Sequence, residues 1–227
     1  MRAEEPALWR NTPSTPETME EGGPSDLDAR PGPALVADFV RVVHVVRHGE
    51  AGDGNWPLPA MAALSPTGQA QARRAAADLA MGPGHGTRIF ASDLPRCRET
   101  AETIASALQG RVVLDRRLRE LDFGWEGLEG PEVLKHIGED RLAAFLRSPA
   151  RGDLPGAEPF LAFWERVRAA SEHMLQLAQV EPLVLVAHDG VNRALALMAS
   201  GRGPDAWSDV RPWRHGEVRT IVWREPA

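Results

Sequence analysis

Two runs of aliphatic residues stand out along the chain, Val42 to Val46 and Leu183 to Ala187. Neither alternates with polar positions as a strand with one wet face does, so both are predicted as strands covered on both sides, the pattern of parallel sheets packed between helices. His44 interrupts the first run and reads as a structural residue within it. Shorter apolar runs predict further strands at Thr87 to Ala91 and Arg111 to Asp115, and the alternation from Glu217 to Trp223 predicts a last strand at a sheet edge. Helices are expected between them. Ser65 followed by Pro66 marks a helix start, with the hydroxyl as N-cap and proline at the first helical position, and Gln69 to Ala80 continues that helix. Pro95 to Leu108, two short segments within Pro131 to Arg147, a long amphipathic segment from Phe160 to Ala178, and Val191 to Ser200 read as the others. The loops fall at 50–63, Leu118 to Gly130 and Pro149 to Pro159, each punctuated by glycine or proline. Strands alternating with helices predict an α/β fold, a three-layer α/β/α sandwich with a mostly parallel central sheet.

Residues 1–37 break this pattern. They hold six of the 19 prolines and show no hydrophobic period, so they cannot bury enough apolar surface to offset the entropy lost on ordering. A disordered tail is expected there, or an extension upstream of the natural start, and a single domain over residues 38–227. Charge follows the same division. Of the net charge of -6, residues 1–38 hold -5, which leaves the body near -1 and without the basic face that nucleic-acid binding needs. Apolar runs far shorter than about 20 residues predict no membrane span, and the acidic, proline-containing start lacks the pattern of a secretory signal. A single cysteine, Cys97, excludes an internal disulfide and a cysteine-based metal cluster. A cytoplasmic location is the expectation. The near-absence of lysine, with Lys135 alone among 26 basic residues, and the lack of tyrosine are read as composition bias.

Ligand sites in parallel sheets lie past the carboxyl ends of the strands. Four segments place charged or nucleophilic groups there or in adjoining loops: Arg47 with His48, Arg96, Glu120 and His188. Gly49 follows His48 and is expected to allow a sharp turn and close approach of the backbone to a ligand. Two guanidiniums and an imidazole suit a phosphoryl group, because the planar arginine fork matches its oxygens and stays charged. The second imidazole can act as nucleophile, and a carboxyl group can supply the proton that a leaving alkoxide needs. His85, His136, His173 and His215 are scattered without metal-ligand spacing, and Cys97 reads as a packed small residue. Trp56 and Trp125 could line an apolar substrate pocket, although core packing is the expected role of most of the seven tryptophans.

Five ordered segments carry a resemblance. Arg47-His48-Gly49-Glu50, Leu64 to Ala70, Ser92-Asp93-Leu94-Pro95-Arg96 with Thr100-Ala101, Leu118 to Gly127, and Val186-Ala187-His188-Asp189-Gly190 are similar in order and spacing to the histidine phosphatase superfamily, in its phosphoglycerate mutase-like branch. The resemblance runs from about Val42 onward. It implies a phosphohistidine intermediate, a small phosphorylated substrate and no metal or organic cofactor. By position it implies His48 as nucleophile, Arg47, Arg96 and His188 as the phosphate pocket, and Glu120 as proton donor. Asp189 stands where the family often has a glycine and where more distant acid phosphatases carry their donor, so Glu120 and Asp189 are rivals, with Glu120 favoured. The usual Gly-Glu-Ser of a later loop is here Gly156-Ala157-Glu158-Pro159, and one residue is missing between Gly124 and Trp125. Phosphomonoesterase is the preferred activity. A mutase is the alternative, disfavoured by Ala51 to Pro57, and a non-catalytic phospho-ligand binder is the third reading.

The tail makes a testable statement. Deleting residues 1–37 is expected to leave turnover and melting temperature little changed; a large loss of either, measured on the truncated protein, would mean that the segment docks on the body.

Overall fold

The computed structural model describes residues 40–52, 57–82, 85–177 and 182–224. The expected tail and Trp56 lie outside them. Five strands, β1 (Val40–Arg47), β2 (Arg88–Ala91), β3 (Arg111–Leu114), β4 (Leu183–Ala187) and β5 (Val218–Arg224), form one sheet in the order β3-β2-β4-β1-β5. Its first four neighbours pair in parallel, and β5 runs antiparallel along the outer edge of β1. Six helices accompany it: α1 (Pro66–Leu79), α2 (Pro95–Leu108), α3 (Gly130–Ile137), α4 (Glu139–Arg147), α5 (Phe160–Leu177) and α6 (Asp189–Ala199). No described helix is long and apolar enough to cross a membrane.

The three expected layers follow from side-chain alternation on the central strands. Leu183, Leu185 and Ala187 of β4 join Val43 and Val45 of β1 in a core shared with Phe163 and Val167 of α5 and Leu195 of α6. Val184 and Val186 turn the other way, with Val46, onto Ala75 and Leu79 of α1 and Ile104 of α2. All five β4 residues are buried, as a strand covered on both faces must be. β1 departs from that picture: Val42 and His44 are partly exposed, because the neighbour on this side is the edge strand β5. His44 keeps the structural role expected of it through a 3.1 Å contact between Nδ1 and the hydroxyl of Thr220, its partner across the β1–β5 pair.

Capping sets the helix starts. The Ser65 hydroxyl accepts from the Gly68 amide at 3.0 Å with Pro66 in the first turn, as the sequence predicts. α6 begins at Asp189, two residues earlier than its apolar pattern suggests, because His188 itself is the N-cap residue. Short 3₁₀ turns at Arg116–Leu118, Pro149–Arg151 and Pro204–Asp209 occupy loops whose apolar content is too sparse to announce them. Trp125 stacks on Phe123 at 4.4 Å and packs into the core rather than lining an apolar pocket.

Gly49 makes a close approach to another part of the chain. A Cβ there would lie 2.3 Å from the Gly68 carbonyl oxygen, and one on Gly68 would lie 1.9 Å from the Glu50 carbonyl oxygen. The close approach that the structure shows is between the β1–α1 connection and the first turn of α1, backbone against backbone. Gly68→Ala, which touches none of the pocket groups, is predicted to cost about 2 kcal/mol or more, a fall of roughly 4–8 °C in Tm by calorimetry. An unchanged Tm would show that the two segments separate without strain.

Candidate active site

The parallel register puts the site together. Arg47 pairs with Ala187 at the ends of β1 and β4, the His48 amide donates to the Ala187 carbonyl at 2.9 Å, and the Ser92 amide after β2 donates to the Val186 carbonyl at 3.1 Å. His48, His188 and Ser92 thus leave three adjacent strands at one level. The His48 and His188 rings lie 5.0 Å apart, edge to face.

His48 is 4% exposed, and its Nδ1 lies 2.6 Å from the Gly49 carbonyl oxygen. A carbonyl oxygen only accepts, so Nδ1 carries the proton and Nε2 keeps its lone pair. Burial, then Arg96, then Arg47 and His215 hold the His48 pKa well below the ordinary imidazole value, against the opposing effect of the Gly49 bond. His188 is sealed more deeply, with Nε2 at 3.0 Å from the Ser92 hydroxyl and 3.4 Å from the Cys97 sulfur. Burial first, then His48, Arg96, Arg47 and Arg166, hold its pKa well below the ordinary imidazole value. Cys97 is the packed small residue expected, and burial pushes its thiol far up.

Arg96 sits in the first turn of α2, 6% exposed, and donates through one terminal nitrogen to the Ala60 carbonyl at 2.9 Å. Arg47 donates to the Trp213 carbonyl. The Nε atoms of both arginines are buried without a partner. Native proteins seldom leave buried donors unmet, and an oxyanion between the two guanidiniums would meet both. Thr100 ties the loops by accepting from the Gly49 amide at 3.2 Å and donating to the Arg96 carbonyl at 2.7 Å.

Glu120 reaches the start of α6. Its carboxylate accepts from the Gly190 amide and from its own neighbour Leu121, both at 3.0 Å. A Cβ at position 190 would stand 2.3 Å from a Glu120 oxygen, so the glycine there makes room for this carboxyl group. Enclosure raises the Glu120 pKa despite these two bonds, with the Asp189 charge adding to the rise and Arg47 opposing it. Asp189 does not touch the His188 ring. It accepts from the Trp213 amide at 2.6 Å and faces Arg193 at 3.9 Å, which makes it a tether for the segment before β5.

Sequence reasoning missed two residues here. Arg166 on α5 donates to the carbonyls of Arg117, Arg119 and Glu120 at 2.7–2.9 Å, while the Glu158 carboxylate holds its other edge at 2.6 and 2.7 Å. That fork fixes the backbone that carries Glu120. An arginine on an amphipathic helix gives no sign of this duty; Glu158, in the loop already singled out, was the available hint. His215, set aside as scattered, lies 5.4 Å from the His48 ring. Arg119 also binds Asp93 through both carboxylate oxygens at 2.6 Å and joins the β2 and Glu120 loops. Among the described residues no group of three or more His, Cys, Asp or Glu is arranged to hold a metal ion.

Comparison with known proteins shows the family. A 2-carboxy-D-arabinitol-1-phosphatase of Triticum aestivum is 30% identical over 186 residues, which are 78% of this chain but 36% of that protein, so the chain spans about a third of that relative. A protein named "Probable phosphoglycerate mutase GpmB" of Escherichia fergusonii is 32% identical over 181 residues, covering 74% of this chain and 78% of that one. The structure of a mycobacterial glucosyl-3-phosphoglycerate phosphatase superposes with a TM-score of 0.70 at 25% identity, over 81% of this chain and 90% of the other. The sequence profile that describes the histidine phosphatase superfamily, branch 1, matches residues 43–226, and the chain belongs to that family.

Proposed function

We propose that this chain hydrolyses phosphomonoesters of small metabolites, with His48 carrying the phosphoryl group between two half-reactions. The observation that carries the reading is the committed Nδ1 of a buried, neutral His48 beside two arginines with unmet donors. Nε2 attacks phosphorus, the P–O bond to the alcohol breaks, and the leaving oxygen takes a proton from Glu120. Water then attacks the phosphohistidine while the Glu120 carboxylate accepts its proton; the P–N bond breaks, and inorganic phosphate and both residues are recovered. Arg47, Arg96 and His188 bind the phosphoryl oxygens throughout. A raised pKa suits Glu120 to the donor role, whereas Asp189 faces Arg193 and tethers the segment before β5 through the Trp213 amide.

The names of the relatives support a phosphatase and leave the alcohol portion of the substrate open. The similarity to a mutase supports phosphotransfer as the second reading. Incubation with a phosphoglycerate tests the mutase, which yields the isomer, and release of inorganic phosphate from any of several phosphomonoesters marks a phosphatase; a non-catalytic binder does neither. A panel of phosphorylated metabolites then identifies the substrate. We assign catalysis to residues 38–227 and the protein to the cytoplasm, with its one cysteine buried.

Rapid quenching with a labelled phosphomonoester is expected to trap an acid-labile, base-stable phosphoenzyme. Undiminished labelling of His48→Ala would overturn the assignment.

For the donor, Glu120→Gln is predicted to slow labelling of His48 by an alkyl phosphate by about 10²-fold or more while slowing labelling by the p-nitrophenyl ester much less, because nitrophenolate leaves without protonation. The protonated form is the active donor, so wild-type activity on the alkyl ester declines as pH rises through the elevated Glu120 pKa, and Glu120→Gln removes that limb. Asp189→Asn should give a smaller, uniform loss. The reverse pattern would move the donor to Asp189.

A further inference from the structure

One imidazole at the pocket takes no part in the steps above. His215 belongs to the segment 211–217 that leads into β5, and that segment is fixed to the end of β1 at several points. The Gly216 amide donates to the Arg47 and His48 carbonyls at 3.0 and 3.2 Å, and the Arg47 amide donates to the Glu217 carbonyl at 3.1 Å. The Trp213 carbonyl receives the Arg47 guanidinium, while its amide is held by Asp189. Glu217 braces the segment from within, accepting from Arg211 at 2.6 Å, Arg219 at 2.8 Å and the Arg214 amide at 2.8 Å. Gly216 has a φ of 70°, and a Cβ there would come within 2.8 Å of the Gln71 side chain on α1, so the turn just after His215 is built for glycine. This bracing holds the His215 ring 5.4 Å from the nucleophile ring.

Its surroundings differ from those of the other two histidines. His48 and His188 are buried, whereas His215 is half-buried and so reaches toward solvent. Its ring nitrogens make no hydrogen bond with any described residue. The charges that act on it are Arg47, Glu50 and Arg96, so it shares with His48 and His188 the field of the same two guanidiniums. A positioned imidazole with free nitrogens, beside two arginines whose Nε atoms lack partners, is a ligand group awaiting an oxyanion.

We infer that His215 is a third histidine of the phosphoryl pocket, donating a ring N–H to a phosphate oxygen from the solvent side. This assignment rests on the phosphomonoesterase reading for its role in turnover, but the anion binding it describes can be measured without turnover. A histidine suits the position physically. Burial, with Arg47 and then Arg96 adding to it against Glu50, lowers its pKa to about 4, so in the empty pocket it is neutral and adds nothing to the repulsion between the arginines. An arriving dianion cancels their field and raises that pKa. Since the pKa is higher in the complex, the added affinity is present at low pH and is lost as pH rises through the value in the complex.

The groups acting on His215 are Arg47, His48 and Glu50 from β1 and the turn after it and Arg96 from α2; the uncharged Gln71 of α1 lies against the next residue, Gly216, and within its own segment Arg211 and the Arg214 amide are engaged by Glu217. His48 also titrates with bound anion, so the pH effect is read as the difference between wild type and a variant that lacks only His215.

The test uses the full chain and sulfate, whose charge is constant from pH 5 to 9, with calorimetric titration for binding and a separate phosphatase assay. His215→Ala is expected to weaken sulfate and inorganic phosphate by about tenfold or more, and His215→Gln, which keeps an N–H donor, to recover part of that loss. Wild type should tighten more than His215→Gln between pH 8 and 5.5. His48 should still be labelled in both variants, but at a correspondingly higher concentration of the phosphomonoester. Sulfate affinity within twofold of wild type in both variants, with the same pH dependence, would overturn the inference. Where a variant melts early, the His215 ring resonance of wild-type protein decides by NMR: its titration must move upward on saturation with sulfate, and an unmoved titration rejects the role. Sulfate binding that depends on His215 without hydrolysis of any phosphomonoester would instead reject the phosphatase reading and leave the anion site standing.

Discussion

The parallel pairing of β1 with β4 is the constraint on which the rest of the molecule depends. Once Arg47 lies opposite Ala187, the amide of His48 has only the Ala187 carbonyl to meet, and the two strands release their histidines side by side. A slip of one residue would turn Val43 and Val45 from the α5–α6 core to the other face and would separate the two imidazoles in the same movement. Core packing and pocket geometry are therefore specified by one register. The alternation of Val184 and Val186 against Leu183 and Leu185 locks that register from both sides of the sheet.

Around the strand ends, two opposing demands are reconciled. An oxyanion pocket requires fixed positive charge, yet a nucleophilic imidazole must be neutral. Burial serves both, because it strengthens the field of Arg47 and Arg96 and also disfavours a charge on His48 and His188. Enclosure acts in the opposite direction on a carboxyl group, and Glu120 accordingly holds its proton more tightly while resting on the positive end of α6. The arginines accept this arrangement by leaning on backbone carbonyls, those of Ala60 and Trp213, instead of on carboxylates. Neutral acceptors hold the guanidiniums in place without cancelling their charge.

Much of this could be read in the sequence. The covered strands, the Ser65–Pro66 helix start and the segments holding Arg47, His48, Arg96, Glu120 and His188 all lie in local patterns of apolar residues and breakers, and the structure brings those five side chains to one end of the sheet. What escaped was non-local. His215 lies 167 residues beyond His48 in a segment without regular structure, and only tertiary hydrogen bonds to β1 carry it to the pocket. Arg166 looks like any polar position of an amphipathic helix, since its carbonyl partners belong to a loop that sequence periodicity cannot fold. Gly49 was rightly seen as a close-approach glycine, but the surface it approaches, the first turn of α1, is known only once the chain has turned back.

The position of β1 within the sheet also dictates when the pocket can come into being. β1 lies between β4 and β5, whose residues begin at 183 and 218, so the first described strand has no lateral partner until most of the chain is present. Loop closures of that span make folding slow and dominated by distant contacts. During synthesis the Val42 to Val46 segment must wait unpaired while nearly 140 residues are added, with apolar side chains and open backbone groups that invite association with other chains. The same delay means that no chain cut short before the end of β4 holds both imidazoles in place. The two histidines meet only after β4 has paired with β1, and the topology itself acts as the timer.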